Sequence, residues 1–292
     1  MISIIITAYK EEKTIGKAIE SFLKNNIKED YELLVFAPDK STLDVVKSYS
    51  KKYKQVHAIK DDGKGKPAAL NKAFKIAKGD ILILSDGDVY IDKNSINYLL
   101  DKFQNEKIGA VSGHPVSINN KNTKLGYWSH LLTYIADLRR KKAIIIGKKF
   151  YCSGYFYAIR NGLVTSIPET TLSDDGLVSY MIHKQGYKIE YSPESKVYVK
   201  YPDNLTDWIK QKKRSAGGYN QIKNWTKKDM RSFSKESFGI FQVLQYPKNI
   251  KEFFWTFQLI FLRLYLWFLI FIDINLKKKD FEKIWVRIES TK

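Results

Sequence analysis

Cysteine is nearly absent: the 292 residues hold one, Cys152. That excludes an internal disulfide and a cysteine-built zinc site. Histidine is scarce too, and His57, His114, His130 and His183 are scattered without metal-ligand spacing. Neither a Gly-x-Gly-x-x-Gly nor a P-loop lysine motif occurs, so the usual dinucleotide and P-loop signatures are missing. There is no internal repeat and no low-complexity linker. No basic leader precedes the strand-like run Ile2–Thr7, so no secretory signal is expected and the chemistry should face the cytosol. Acidic residues are the minority, 31 against 50 basic ones, for a formal net charge of +19. Such a surplus favours an anionic partner: a nucleotide, a nucleic acid or an acidic membrane face.

What is present is a regular alternation. Ile2–Thr7, Tyr31–Phe36, Gln55–Ile59 and Ile81–Leu84 are short, apolar and largely β-branched, as strands covered on both faces should be. Between them the spacing predicts helices over Thr14–Asn25, from a cap at Ser41 to about Tyr53, and over Pro67–Ala77, with Gly79 just past the last. Strands alternating with helices imply an α/β fold with a mostly parallel sheet. In such sheets ligands bind beyond the carboxyl ends of the strands. Tyr9–Glu11, Ala37–Asp39, Lys64–Lys66 and Asp86–Asp88 are thereby expected on one rim. Further on, Ile108–Ser112 and Phe150–Ile159 read as strands and Ser173–Gln185 as a helix opened by two aspartates. Lys188–Tyr191 and Lys196–Lys200 read as two extended pieces, and Leu205–Ile222 as a helix running to Gly217-Gly218.

Two of these rim segments carry chemistry. The run Ile81-Leu-Ile-Leu-Ser-Asp-Gly-Asp88 ends an apolar strand on two carboxylates one residue apart. Such a pair can hold Mn²⁺ or Mg²⁺ together with a diphosphate, since these cations take one or two carboxylates plus phosphate oxygens. Asp86 and Asp88 are the candidate metal ligands; a solvated turn after a strand is the plain alternative. Lys66 stands at a helix start, where free amides, the helix dipole and a full positive charge together favour phosphate.

Three motifs in order, Ile4-Ile-Ile-Thr-Ala-Tyr-Lys-Glu-Glu12, Gly65-Lys-x-x-Ala-Leu-Asn71 and Gly79-Asp-Ile-Leu-Ile-Leu-Ser-Asp-Gly-Asp88, resemble the nucleotide-sugar half of a family 2 glycosyltransferase with the GT-A fold. Tyr151–Arg160 resembles that family's acceptor-side strand with its Ser-Gly turn. Thr171-Leu-Ser-Asp-Asp-Gly-Leu177 resembles the Glu-Asp motif that supplies the catalytic base, and Gln211-Lys-Lys-Arg214 the start of the Gln-x-x-Arg-Trp motif. The resemblance covers roughly residues 1–225, and Trp285–Lys292 looks like the tails of membrane-associated members. It implies inverting, metal-assisted transfer from a nucleotide-diphospho-sugar. Tyr9, Glu11 and Asp39 would orient the donor, and Lys66, Asp86, Gln211 and Arg214 would also contact it. Asp175 would be the base, with Asp174 as second choice. Departures from the pattern are Ser215 in place of Trp, Asp174-Asp175 in place of Glu-Asp, and a single acid, Asp39, after the second strand.

The expected organisation is a glycosyltransferase domain over residues 1–230, with its nucleotide-sugar half at 1–100 and acceptor half at 101–230, followed by a membrane-associated helical segment at 231–292. Phe253–Ile274 is almost wholly apolar and close to the roughly 20 residues that span a bilayer. Arg263 at its middle, and lysines at both ends, favour a helix in the membrane interface or a re-entrant one over a simple span. The expected site of action is the cytosolic face of the cell membrane, on a lipid-linked or glycan acceptor, with a membrane partner or a second copy as further options. A polymer channel needs several spanning helices, so single transfer or work with a partner is expected. Nucleotidyl transfer on a similar sheet is the rival enzyme reading. Nucleic-acid binding is the non-enzymatic one, disfavoured because acids at the rim repel phosphates.

Overall fold

Ile2–Thr7, four isoleucines with Ser3 and Thr7, form β1, and all six residues are buried. A strand so covered needs neighbours on both edges and layers on both faces. In the computed structural model, which describes residues 1–227, 240–272 and 289–291, β1 lies between β2 (Tyr31–Ala37) and β4 (Ile81–Asp86), parallel to each. β3 (Val56–Lys60) adds in parallel to β2. The helices that return the chain are α1 (Ile15–Leu23), α2 (Lys40–Ser50) and α3 (Lys66–Ile76). The parallel part of the sheet was thus legible from hydrophobic runs alone.

The second part reverses direction. A two-residue strand β5 (Tyr90–Ile91) and helix α4 (Ser95–Leu100) lead to β6 (Ile108–Ser117), longer than its apolar run suggested. After α5 (Lys124–Ile145) comes β7, which covers only Phe156–Arg160. It inserts antiparallel between β4 and β6, with Leu84 opposite Tyr157 and Ser112 opposite the same tyrosine. Residues 151–155, expected in the strand, form the loop that enters it. α6 (Asp174–Lys184) follows, then β8 (Lys188–Val199), a single strand where two pieces were expected. The sheet order is β3-β2-β1-β4-β7-β6-β8-β5.

Three local expectations are corrected. The cap of α2 is Asp39, whose carboxylate accepts from the Thr42 amide, not Ser41. Gly79 is no helix stop: α3 ends at Ile76, and a Cβ at Gly79 would stand 2.3 Å from the Ser3 nitrogen, so glycine lets the chain cross β1. Helix α7 (Leu205–Thr226) runs through Gly217 and Gly218, both buried, despite the entropic penalty of about 1 kcal/mol per helical glycine.

The chain divides into two compact units. One comprises Met1–Val116 and Arg139–Val199 and holds the sheet; the other comprises Ser117–Leu138 and Lys200–Thr291. The second has its own core of Tyr127, Trp128, Leu131, Ile135, Trp208, Leu259, Leu266 and Ile270. It contains the short α8 (Ile240–Leu244) and α9 (Ile250–Phe271). Asn249 caps α9 through the Glu252 amide, and the Thr256 hydroxyl meets that of Tyr127 at 2.7 Å. Asn249, Glu252, Thr256 and Arg263 share one arc of α9 at about 100° per residue. That arc is the one turned to the unit's core through Thr256. On the opposite side Phe254, Phe261, Leu264, Tyr265 and Phe268 are all exposed. The terminal segment 281–288 lies outside the described residues, as do 228–239 and 273–280.

Candidate active site

The site is built where strands of the first unit end. Ile81–Ser85 are buried and hold β4 in the middle of the sheet, so Asp86 emerges at its rim, in register with Thr7. Gly65, with φ of 99°, turns the chain into α3 at Lys66; such a conformation is easily adopted only by glycine. The Lys66 Nζ then lies 2.7 Å from Asp86 Oδ1 and 3.2 Å from Asp174 Oδ2. Asp174 is the first residue of α6. One ammonium therefore ties the end of β4 to the start of α6.

The electrostatics follow from burial and charge. Burial opposes the charge of Lys66, but Asp174 and Asp86 outweigh it and hold the ammonium above the ordinary lysine range. For Asp174 the balance goes the other way. Burial raises its carboxyl above the usual aspartate value, against the pull of Lys66, and Asp175 and Asp86 add repulsion. Asp175 is held differently. It accepts from the Gly154 amide at 2.9 Å, the Gly176 amide at 2.8 Å and the Ser173 hydroxyl at 2.7 Å. These bonds fix the loop before β7 against the start of α6. Cys152 in that loop is buried, and burial pushes its thiol up to about 12; it is a packing residue.

Glu11 is buried behind the Asp86-Gly87-Asp88 turn. A Cβ at Gly87 would stand 2.3 Å from Glu11 Oε2 and 2.7 Å from the Ala8 Cβ, so the residue between the two acids has to be glycine. Asp88 is half-buried. Asp39 accepts from the Lys10 amide at 2.8 Å, the Thr42 amide and the Ser41 hydroxyl, each at 3.0 Å. Burial opposes its charge, but these donors prevail and its carboxyl lies below the usual range. Tyr9 is exposed at the end of β1, with the Lys10 ammonium 5.4 Å from its ring. Gln211 and Arg214 are half-buried on α7, in the second unit. The first unit thus brings Lys66, Asp86, Asp174 and Asp175 together and sets Glu11 against the Asp86–Asp88 turn.

Among the described residues no group of three or more His, Cys, Asp or Glu side chains could hold a metal ion. Asp86 and Asp88 are hard oxygen donors on one strand end, the set that suits Mn²⁺ or Mg²⁺ when phosphate oxygens complete the shell. The residues fit a cation that arrives with a diphosphate rather than one held in a cage of protein ligands. A shallow pocket of about 450 Å³ lined by Lys78, Asp80, Arg160 and Asn161 lies at the other end of β4, away from these acids.

Two contributors were not singled out from the sequence. Gly154 donates to Asp175, and only the Ser-Gly turn hinted at it. Tyr157 is fully buried on β7, and as an alternating strand residue it gave no signal beyond packing.

Residues 3–164, more than half the chain, match the family described as "Glycosyl transferase family 2". The chain belongs to glycosyltransferase family 2. It is 25% identical over 229 residues to the poly-beta-1,6-N-acetyl-D-glucosamine synthase of Staphylococcus aureus (strain COL), covering 76% of this chain and 55% of that protein. It is 26% identical over 236 residues to the probable glycosyltransferase YdaM of Bacillus subtilis (strain 168), covering 76% and 56%. The chain thus spans little more than half the length of these curated relatives. A mannosyltransferase from Pyrobaculum calidifontis, solved in complex with GDP-Man and Mn²⁺, superposes with a TM-score of 0.60 at 17% identity, covering 74% of this chain and 61% of that one. Staphylococcus aureus TarS 1-349 with UDP-GlcNAc gives 0.51 at 19%, covering 70% and 59%. The GT-A-like fold expected from the sequence is the fold observed.

Proposed function

We propose that this chain catalyses inverting transfer of a sugar from a nucleotide-diphospho-sugar to a hydroxyl of a lipid-linked or glycan acceptor, at the cytosolic face of a membrane. The observation that carries the reading is the Lys66 bridge between Asp86 and Asp174. It joins a phosphate-binding cation and a metal-type carboxylate to a carboxylate able to take a proton.

In the proposed reaction the acceptor oxygen bonds to the anomeric carbon as the carbon–oxygen bond to the diphosphate breaks. The proton of the acceptor hydroxyl passes to Asp174, and the nucleoside diphosphate leaves with the bonding pair. Asp174 takes this role ahead of Asp175, reversing the order suggested by the sequence. Its carboxyl is raised by burial, which suits a general base. Asp175 already accepts three hydrogen bonds and acts by fixing the Gly154 loop. Asp86 and Asp88 would hold Mn²⁺ or Mg²⁺, which supplies neutralisation of the departing diphosphate. Lys66 adds its charge to the same phosphates. Tyr9, Glu11 and Asp39 orient the nucleoside end. The apolar outer face of α9 rests in the lipid surface, where the basic surplus attracts anionic headgroups.

The test is release of free nucleoside diphosphate from a panel of nucleotide sugars with Mn²⁺. UDP-GlcNAc comes first because a relative's product and a structural neighbour's ligand contain that sugar, and GDP-mannose comes second. Asp174→Asn should lower turnover by about 10²–10⁴-fold with donor affinity kept, and Asp175→Asn by less. Turnover intact in Asp174→Asn would refute the base. Pyrophosphate as the released product would indicate nucleotidyl transfer.

A further inference from the structure

Beside the Lys66 bridge lies an unmatched pair of polar atoms. The Tyr157 hydroxyl is buried and has no hydrogen-bond partner among the described residues. Asp174 Oδ2 is also buried and, among the described residues, has the Lys66 ammonium at 3.2 Å and no other polar partner. A buried hydroxyl without a partner carries a penalty of about 1–3 kcal/mol, so such groups are few and call for a reason. Tyr157 stands on β7 with Leu84 of β4 and Ser112 of β6 as its register neighbours. Ser112 accepts from the Ser153 amide, in the loop that Asp175 fixes through Gly154. The Tyr157 backbone is thus paired to the strand whose Ser112 holds that loop. Burial and then the negative charges of Asp174 and Asp175 raise the phenol well above the ordinary tyrosine range, which keeps it a neutral donor close to both acids.

We propose that Tyr157 is a positioning residue that takes over Asp174 when the donor's diphosphate draws Lys66 away. The proposal rests on the glycosyl-transfer reading above. At rest Lys66 neutralises Asp86 and Asp174 together. A diphosphate competes for the same ammonium, and Asp174 is then left as a buried carboxylate with no cation. The Tyr157 hydroxyl donates to it, holding the carboxylate toward the acceptor hydroxyl instead of letting it follow Lys66. The orphan hydroxyl of the donor-free state is thus the partner kept for the loaded state. No covalent step is involved; one ion pair is exchanged for one hydrogen bond.

Tyr157→Phe removes only the hydroxyl and separates the possibilities. In the donor-free protein the melting temperature should stay the same or rise, because an unsatisfied group has been removed. With nucleotide sugar and Mn²⁺, kcat should fall about tenfold while KM for the donor stays within about twofold, since Lys66 and the phosphate contacts are untouched. A fall in donor-free melting temperature would show that the hydroxyl is already bonded at rest and would overturn the proposal. So would an unchanged kcat. If the wild-type protein itself turns over no nucleotide sugar, the underlying reading fails. If the wild type is active and Tyr157→Phe equals it, this proposal alone fails. Should the variant not fold, 3-fluorotyrosine placed at position 157 gives a second reading by ¹⁹F NMR. Its resonance should move when nucleoside diphosphate and Mn²⁺ are added, and a resonance that stays fixed would overturn the exchange.

Discussion

Lys66 and Asp174 each sit at the first residue of a helix, α3 and α6, and face one another across 3.2 Å. A lysine at a helix start gains nothing from the dipole, whose positive end repels it. Its place there is explained by the acids in front of it. Lys66→Met should therefore destabilise the fold by about 1–3 kcal/mol, because two largely buried carboxylates lose their cation. It should also abolish binding of a nucleoside diphosphate. Urea denaturation and calorimetry check the two effects separately; a variant that binds as the wild type does would remove Lys66 from the phosphate site.

Gly87→Ala tests the crowding behind the acid pair. The new Cβ would press on Glu11 Oε2 and the Ala8 Cβ, and overpacking of this kind costs about 1–3 kcal/mol. Loss of metal-dependent donor binding should accompany it, since the turn that carries Asp86 and Asp88 must shift. Relief of both effects by Glu11→Ala would identify Glu11 as the obstacle. Wild-type stability in Gly87→Ala would mean that the turn has room to spare.

Asp39 offers a pH-dependent reading. Its carboxyl is held below the usual range in the folded chain, so its contribution is present above the unfolded aspartate value near 4 and is lost as pH falls through the folded one. Asp39→Ala should cost about 1 kcal/mol at neutral pH, the usual effect of losing a helix cap. The gap between variant and wild type should close on acidification to about pH 2. A gap that is constant with pH would mean that its charge does not matter.

The outer face of α9 predicts a lipid contact. Exchanging Phe254, Phe261 and Phe268, exposed by 63%, 66% and 59%, for serine should release the protein from anionic vesicles while leaving its melting temperature within a few degrees. Co-sedimentation measures the first and calorimetry the second. Binding that persists at low salt and is lost at high salt would assign the attraction to lysines instead of aromatics.

Much of this was legible in the residues. The four parallel strands follow from unbroken apolar runs, and the Asp86–Asp88 turn from its place after the fourth. Lys66 follows from standing before a helix that opens with proline. Other features depend on distant packing. Lys188–Val199 forms one strand through Pro193 because β5 pairs only with Val197 and Tyr198, leaving the proline clear of that neighbour. α5 is not legible in the sequence because its apolar residues are spread round its circumference rather than gathered on one face. Arg263 argued against a simple span in the sequence, and its arc is the one turned to the core of the second unit. The choice between Asp174 and Asp175 could not be read from two adjacent identical letters; it depends on which of them the Gly154 loop engages.

Because β7 runs opposite to β4, a single rim collects chain that is leaving one strand and chain that is arriving at the other. In the proposed reaction the outgoing turn holds the diphosphate common to all donors, and the incoming loop at 151–155 meets the acceptor. Rebuilding the arriving segment while sparing Gly154 offers a way to retarget this scaffold to a new alcohol without relearning how to hold a pyrophosphate.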